Sequence, residues 1–165
     1  YFMSGIKHFS GFEVIRAAKE VEKNGHRFYS TMSERATDPA LKDIFTWLAQ
    51  DEVEHLRRLN QLESKYQDGS FADCEEEFLQ YLNRFADDKI FPDAERLEAV
   101  LKTENADLQA LDMAIEAEVK FAEYFAKASS LAQSDDGREA FAWLAGEEDR
   151  HAKVLQERRA KYSAS

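Results

Sequence analysis

The chain has 165 residues, the size of one folding domain, and a formal net charge of −11 at pH 7. Such an acidic surface repels phosphate backbones, which argues against nucleic acid as a partner. The single cysteine, Cys74, excludes an internal disulfide and a thiolate metal site, and no stretch of about 18 apolar residues exists to span a membrane.

The composition favours helices over strands. Apolar residues make up 44% and charged residues 33%, with only two prolines and six glycines, and β-branched residues are sparse. This pattern predicts an all-α protein without a sheet. The N-terminus lacks a signal-peptide pattern, so we expect a soluble, cytoplasmic protein.

Four long amphipathic helices are predicted along the chain. The first begins at Ser10, which has the spacing of a capping box with Glu13. Asp38 and Pro39 provide a cap and a first-turn proline for the second helix, and Ser134 is the predicted cap of the last. The predicted helices span about residues 10–36, 39–66, 106–132 and 135–161.

The stretch from about residue 70 to residue 105 is less regular. It contains a predicted short amphipathic helix from Glu75 to Ala86, and Pro92 precedes another at about Ala94–Lys102. We interpret this stretch as a helical crossover within a single domain, residues 1–165.

An internal repeat relates the two ends of the chain at a constant offset of 96 residues. The same offset pairs Glu22 with Glu118. Two similar helical hairpins joined by one long connection predict a ferritin-like four-helix bundle. The offset also pairs, in the second helix of each hairpin, Phe45, Trp47, Leu48, Ala49, Glu52 and His55 with Phe141, Trp143, Leu144, Ala145, Glu148 and His151.

Four glutamates lie on apolar helix stripes. Glu52, for example, has Leu48 and Leu59 on its own face, whereas Glu20 has Arg16 and Lys23 beside it, as on an ordinary solvated face. Burial of unpaired carboxylates is costly, and no lysine or arginine shares the four stripes. Two divalent cations would balance these charges. The predicted metal ligands are Glu22, Glu52, His55, Glu118, Glu148 and His151.

Two of these glutamates belong to Glu-x-x-His motifs, which place a carboxylate and an imidazole one helical turn apart. A core histidine bonded to a neighbouring glutamate is the alternative for each motif taken alone. Their recurrence at the repeat offset, with one further glutamate on each remaining helix, favours a di-iron or di-manganese site. Oxygen and nitrogen ligands suit two iron ions, with manganese or zinc as alternative occupants.

These residues resemble the rubrerythrin-like branch of the ferritin-like di-iron carboxylate superfamily. The resemblance covers about residues 12–161 and rests on Glu22-x-x-Gly25-x-x-Phe28-Tyr29, on the two Glu-x-x-His helices, and on Ile90-Phe91-Pro92. It implies a di-iron centre, oxidoreductase chemistry with peroxide, dioxygen or ferrous iron, and a homodimer.

Two features depart from the family pattern. Full rubrerythrins carry a rubredoxin domain with four cysteines, which this sequence lacks, so we expect a separate electron-donor protein. Rubrerythrins also have an additional glutamate one turn after the third-helix ligand, where this chain has Phe121. The resulting six-ligand set resembles a bacterioferritin-type ferroxidase centre as much as a peroxidase.

Tyr29 matches a family tyrosine and is a candidate catalytic residue that hydrogen-bonds a ligand or supplies an electron; a packed core aromatic is the alternative. Its counterpart in the second hairpin is Phe125. Three functions stay open from the sequence. The first is a non-haem di-iron oxidoreductase that takes electrons from an external donor, the second is a ferroxidase in iron handling, and the third is a non-enzymatic metal-binding helical module.

Overall fold

A computed structural model describes residues 7–65, 70–74, 90–132 and 134–163. Within these residues the chain forms five helices and two short strands. The helices are α1 (Gly11–Arg35), α2 (Pro39–Lys65), α3 (Ala94–Leu101), α4 (Ala106–Leu131) and α5 (Asp135–Ser163).

The architecture is the all-α, ferritin-like four-helix bundle that the repeat predicts. Helix α1 packs against α2 and α4 packs against α5, so each half of the bundle is one hairpin, and α3 lies in the connection between the halves. Each end of the four long helices lies within two residues of its predicted position. The predicted helix Glu75–Ala86 lies outside the described residues.

A two-stranded antiparallel ribbon departs from the prediction that the chain has no sheet. Strand β1 (Lys7–Ser10) pairs with β2 (Ser70–Cys74), with an irregularity between Phe9 and Ser10. The scarcity of β-branched residues disfavours a packed sheet, but a ribbon of this length needs only a few backbone hydrogen bonds. The all-α class is unchanged because helices form most of the described chain.

Side chains at the turns fix where the second helix of each hairpin begins. Asp38 accepts a hydrogen bond from the backbone N–H of Ala40 at 3.0 Å, and Ser134 accepts one from Gly137 at 3.0 Å. Asp38 and Ser134 are related by the repeat offset. Each satisfies a donor that a helix start leaves free, so the two hairpins turn by the same device.

The hydrophobic core runs along the inner faces of the four long helices. Its largest buried side chains include Phe45, Phe121, Phe125 and Phe141. The only buried polar or charged residues in the described part of the chain are the four glutamates and two histidines predicted as ligands. None of the described helices combines the length and the apolar character needed to cross a membrane.

Candidate metal centre

The bundle brings the six predicted ligands into one cluster. Helices α1 and α4 each contribute one glutamate, and α2 and α5 each contribute a glutamate and a histidine. Every one of these side chains is at most 1% exposed. The members of the cluster are Glu22, Glu52, His55, Glu118, Glu148 and His151.

Two glutamates lie between the two imidazoles. Glu148 places Oε1 2.8 Å from His55 Nδ1 and Oε2 3.2 Å from His151 Nδ1. Glu52 places Oε2 3.7 Å from His55 Nδ1 and Oε1 3.6 Å from His151 Nδ1. Each carboxylate therefore directs one oxygen toward each histidine.

The other two glutamates each lie beside one imidazole. Glu22 Oε1 is 3.4 Å from His55 Nδ1, and Glu118 Oε1 is 3.5 Å from His151 Nδ1. The cluster thus follows the pseudo-symmetry of the repeat, with a pair at each end and two shared carboxylates between them.

Aromatic packing holds the two imidazoles in place. The rings of His55 and His151 stack with centroids 5.1 Å apart and an interplanar angle of 13°. Trp47 packs edge-on against His151 and Trp143 packs edge-on against His55, at 5.4 Å and 5.6 Å. The two tryptophans of the repeat therefore pack on the histidine of the opposite hairpin and orient its ring.

The cluster contains polar atoms that no protein group satisfies with hydrogen-bond geometry, although some lie as close as Glu148 Oε1 and His55 Nδ1, at 2.8 Å. In the described part of the chain, the buried side-chain nitrogens and oxygens without a hydrogen-bond partner all belong to these six residues, except Arg158 Nε. They include both oxygens of Glu22, Glu52 and Glu148, and Nδ1 of both histidines. Buried polar groups are almost always paired in folded proteins, so this concentration of free lone pairs fits the donor set of a metal centre.

Protonation is how the metal-free cluster would limit its charge. Burial raises the pKa of Glu118 to about 8, with a further contribution from the neighbouring charge of Glu148, and burial also raises the pKa of Glu22. For His55, burial opposes charge but is outweighed by Glu148 and Glu22, and its pKa rises to about 10. For His151, burial is outweighed by Asp51, Glu118 and Glu148, and its pKa rises to about 12.

A second layer of carboxylates lies behind the histidines. Asp51 Oδ2 is 3.0 Å from His151 Nε2, and this bond lowers the pKa of Asp51. Glu147 Oε2 lies 3.7 Å from His55 Nε2, and Arg150 binds both outer carboxylates at 2.8 and 2.7 Å. An acceptor at Nε2 keeps the proton there and leaves Nδ1 free to bind a metal.

These outer carboxylates are not among the site residues predicted from the sequence. Asp51 and Glu147 are themselves related by the offset of 96, and each directly precedes the glutamate of a Glu-x-x-His motif. An acidic residue at that place in both copies of the repeat was the available signal. Both side chains are partly exposed, so the sequence pattern alone does not distinguish them from an ordinary solvated face.

Tyr29 reaches the cluster from α1. Its hydroxyl donates a short hydrogen bond to Glu118 Oε1, and the side chain is fully buried. Burial, followed by the charge of Glu118, raises the pKa of Tyr29 well above its usual value. The phenol therefore keeps its proton next to a predicted ligand.

Phe121 occupies the place of the additional family glutamate. It is fully buried, and its ring centroid lies 4.2 Å from that of Phe125. This part of the wall is apolar and offers no seventh ligand.

Comparisons with known proteins agree with this picture. The family model described as Rubrerythrin matches residues 13–157. Among solved structures, a hypothetical protein from Pyrococcus furiosus is 19% identical, with a TM-score of 0.65; the match covers 90% of this chain and 87% of that one. At this identity the likeness concerns the fold alone. No curated protein shows a significant match to the sequence.

Proposed function

Because the chain belongs to the rubrerythrin family, we propose that it is a non-haem di-iron oxidoreductase that reduces peroxide or dioxygen with electrons from an external donor. One observation carries the proposal: the unpartnered buried polar atoms are concentrated on the four glutamates and two histidines. Four carboxylates and two neutral imidazoles would balance the charge of two divalent ions and satisfy these atoms.

The distances assign a role to each ligand in this proposal. Glu52 and Glu148 would bridge the two ions, since each directs one oxygen toward each imidazole. Glu22 with His55 would complete one end, and Glu118 with His151 the other. Asp51 would hold His151 in the tautomer that leaves Nδ1 free, and Glu147 is the nearest outer carboxylate to Nε2 of His55.

Reduction of hydrogen peroxide to two waters takes two electrons and two protons, and a ferrous pair supplies the electrons when bound. The chain supplies the surroundings. Tyr29 holds a proton at the Glu118 carboxylate, and the buried phenyl ring of Phe91 keeps bulk water away from the cluster. The electrons would come from an external donor, and a homodimer is the assembly that we expect for the family.

The direct test is stopped-flow absorbance of the anaerobic ferrous protein mixed with hydrogen peroxide and, separately, with dioxygen. We expect two ferrous ions per chain to be oxidised. Peroxide should oxidise these bound ions faster than it oxidises free ferrous iron. Glu54→Ala is the matched control for Glu52→Ala. Glu54 lies on the same helix as Glu52, but its side chain is 44% exposed and paired with Arg57. Oxidation no faster than that of free iron would contradict the proposal.

A ferroxidase in iron handling is the second candidate, favoured by Phe121 in place of a seventh ligand. It requires oxidised iron to accumulate beyond two ions per chain. Gel filtration during an iron titration separates the two functions. A dimer that saturates at two irons per chain supports the oxidoreductase, whereas a larger, iron-filled assembly supports the ferroxidase.

A further inference from the structure

A surface cavity of about 240 Å³ lies beside the metal centre, between α1 and the start of α3. Its lining includes the exposed side chains of Asn24 and Arg27 and the buried side chains of Phe28, Phe91 and Leu97. The cavity therefore has a polar rim and an apolar floor.

Phe91 also borders the metal centre, in a space that Gly25 leaves open. A Cβ atom added at Gly25 would lie 2.9 Å from Phe91 Cε2 and 3.5 Å from Glu52 Cδ. The ring edge and the carboxyl group thus flank the same small space. A side chain at position 25 would collide with the ring, so the glycine lets Phe91 approach the cluster. One aromatic ring, that of Phe91, separates the cavity from the predicted ligand Glu52.

The second hairpin closes its equivalent space differently. The residue at the repeat position of Gly25 is Phe121, whose own ring fills the core against Phe125 at 4.2 Å. Phe121 is fixed on a helix, whereas Phe91 lies in a bend before α3. Aromatic contacts with Phe28 and Tyr29, at 5.8 Å and 5.6 Å, surround the Phe91 ring, and rotation of a ring breaks no hydrogen bond.

We propose that Phe91 is the specificity-determining gate of this centre. The cavity receives a small, uncharged hydroperoxide, and rotation of the Phe91 ring lets it pass to the side of the cluster bounded by Glu52 and Tyr29. An uncharged solute crosses the apolar floor without the cost of burying a charge. This inference rests on the proposed function, because it assumes a metal centre that reacts with such oxidants.

Nitric oxide binding to the ferrous protein tests the gate without turnover, because nitric oxide is small and uncharged. In Phe91→Leu we expect the association and dissociation rate constants to rise together by about 10-fold, with Kd unchanged, since a gate alters a barrier and not the bound state. Phe121→Leu is the matched control, and both of its rate constants should stay within about twofold. Should Phe91→Leu not fold, Phe91→Met offers a more flexible side chain that adapts to irregular gaps, and it should act in the same direction.

A second measurement compares oxidation of the ferrous protein by hydrogen peroxide and by tert-butyl hydroperoxide. The preference for the smaller oxidant should fall by at least about 10-fold in Phe91→Leu and not in Phe121→Leu. Unchanged nitric oxide rates in Phe91→Leu, or equal changes in both variants, would overturn the gate. A ferrous protein that binds nitric oxide but reacts with neither hydroperoxide nor dioxygen would refute the proposed function, while the nitric oxide rates would still decide the gate. Failure to bind ferrous iron would overturn both.

Discussion

The two hairpins supply the same predicted ligands but surround them with different walls. Each provides one glutamate from its first helix and a Glu-x-x-His pair from its second, and each is backed by an outer carboxylate at the same repeat position. The walls differ because the first hairpin has Gly25 and Tyr29 where the second has Phe121 and Phe125.

This difference separates two requirements of the centre. Holding two cations needs a symmetric set of charges and donors, and both hairpins provide it. Chemistry with a small molecule needs access and a proton donor on one side only. In the proposals above the first hairpin would provide both, through the Phe91 ring that packs beside Gly25 and the hydroxyl of Tyr29. The second hairpin has two packed phenyl rings at the equivalent positions.

The largest effect that we expect is the pH dependence of metal binding, to which the hairpins contribute unequally. The pKa values of Glu118, His55 and His151 in the metal-free protein, about 8, 10 and 12, leave all three protonated at pH 7. Each must lose one proton to bind a metal, so the overall constant for two ions should fall at least about 1000-fold per pH unit between pH 7 and pH 6. Chelator competition with zinc at both pH values measures it.

The variant Glu118→Gln isolates the share of the second hairpin in this dependence. It removes one of the protons released on metal binding, so the fall of the overall binding constant per pH unit should be about tenfold smaller. An unchanged dependence would mean that Glu118 is already ionised in the metal-free protein.

Removal of a bridging carboxylate tests the symmetric part of the comparison. Glu52→Ala and Glu148→Ala should each lower metal affinity by at least about 100-fold, and by similar factors, because each glutamate directs an oxygen toward both histidines. Metal analysis of protein from iron-supplemented cells measures the loss. Glu54→Ala should retain two ions per chain. Full metal content in either bridging variant would contradict the ligand assignment.

The outer carboxylates should show a graded difference between the hairpins. Asp51 lies at hydrogen-bonding distance from His151, whereas Glu147 lies 3.7 Å from His55. We expect Asp51→Ala to weaken metal binding about 10- to 100-fold and Glu147→Ala by only a few-fold. Calorimetric titration with cobalt compares the two variants, and equal losses would show that both acceptors fix their histidines equally well.

Variants at Tyr29 and Phe125 test the difference between the walls of the two hairpins. Tyr29→Phe should leave the metal content unchanged and slow the reaction of the ferrous protein with peroxide about 10-fold, because it removes the proton donor at Glu118. Phe125→Tyr at the equivalent position is the control and should not accelerate the reaction. If Tyr29→Phe lowered metal content instead, the tyrosine would have a structural role alone.

The six residues of the buried cluster could be predicted from the sequence because their signal is local and repeated. A glutamate on an apolar stripe and a histidine three residues later are visible within one helix, and the offset of 96 reveals the partner helix. The repeat also predicts which helices pair.

The wall of the site could not be predicted because it depends on contacts between distant parts of the chain. The hydrogen bond from Tyr29 to Glu118 joins residues 89 positions apart, and the family resemblance, not the local pattern, predicted that Tyr29 bonds a ligand. The packing of Phe91 against Gly25 brings the crossover onto α1. Nothing in the local pattern of either segment specifies such a contact, since many helix faces would accept a phenyl ring.

The smallest effect that we expect lies at the two hairpin turns. Asp38 and Ser134 are equivalent caps, but Asp38 also binds Arg158 and Tyr162 near the end of α5, the latter at 2.5 Å. Asp38→Ala should therefore lower the free energy of unfolding by about 2 kcal/mol, and Ser134→Ala by about 1 kcal/mol. Chemical denaturation of the metal-free protein at pH 7 measures both, and equal losses would mean that the contacts with α5 add nothing.

The pH dependence of the Asp38 effect separates its ionic contacts from its cap. The hydrogen bonds from Tyr162 and Arg158 lower the pKa of Asp38 from 3.8 to about 2 in the folded chain. A carboxyl group whose pKa is lower in the folded state stabilises it above the unfolded pKa, and this contribution is lost as the pH falls through the folded value. The difference in unfolding free energy between the wild type and Asp38→Asn should thus be constant from pH 7 to about pH 5 and shrink toward pH 2. Ser134→Ala carries no titrating group and should show the same deficit throughout, so a parallel decline in both variants would rule out the ionic contacts as the cause.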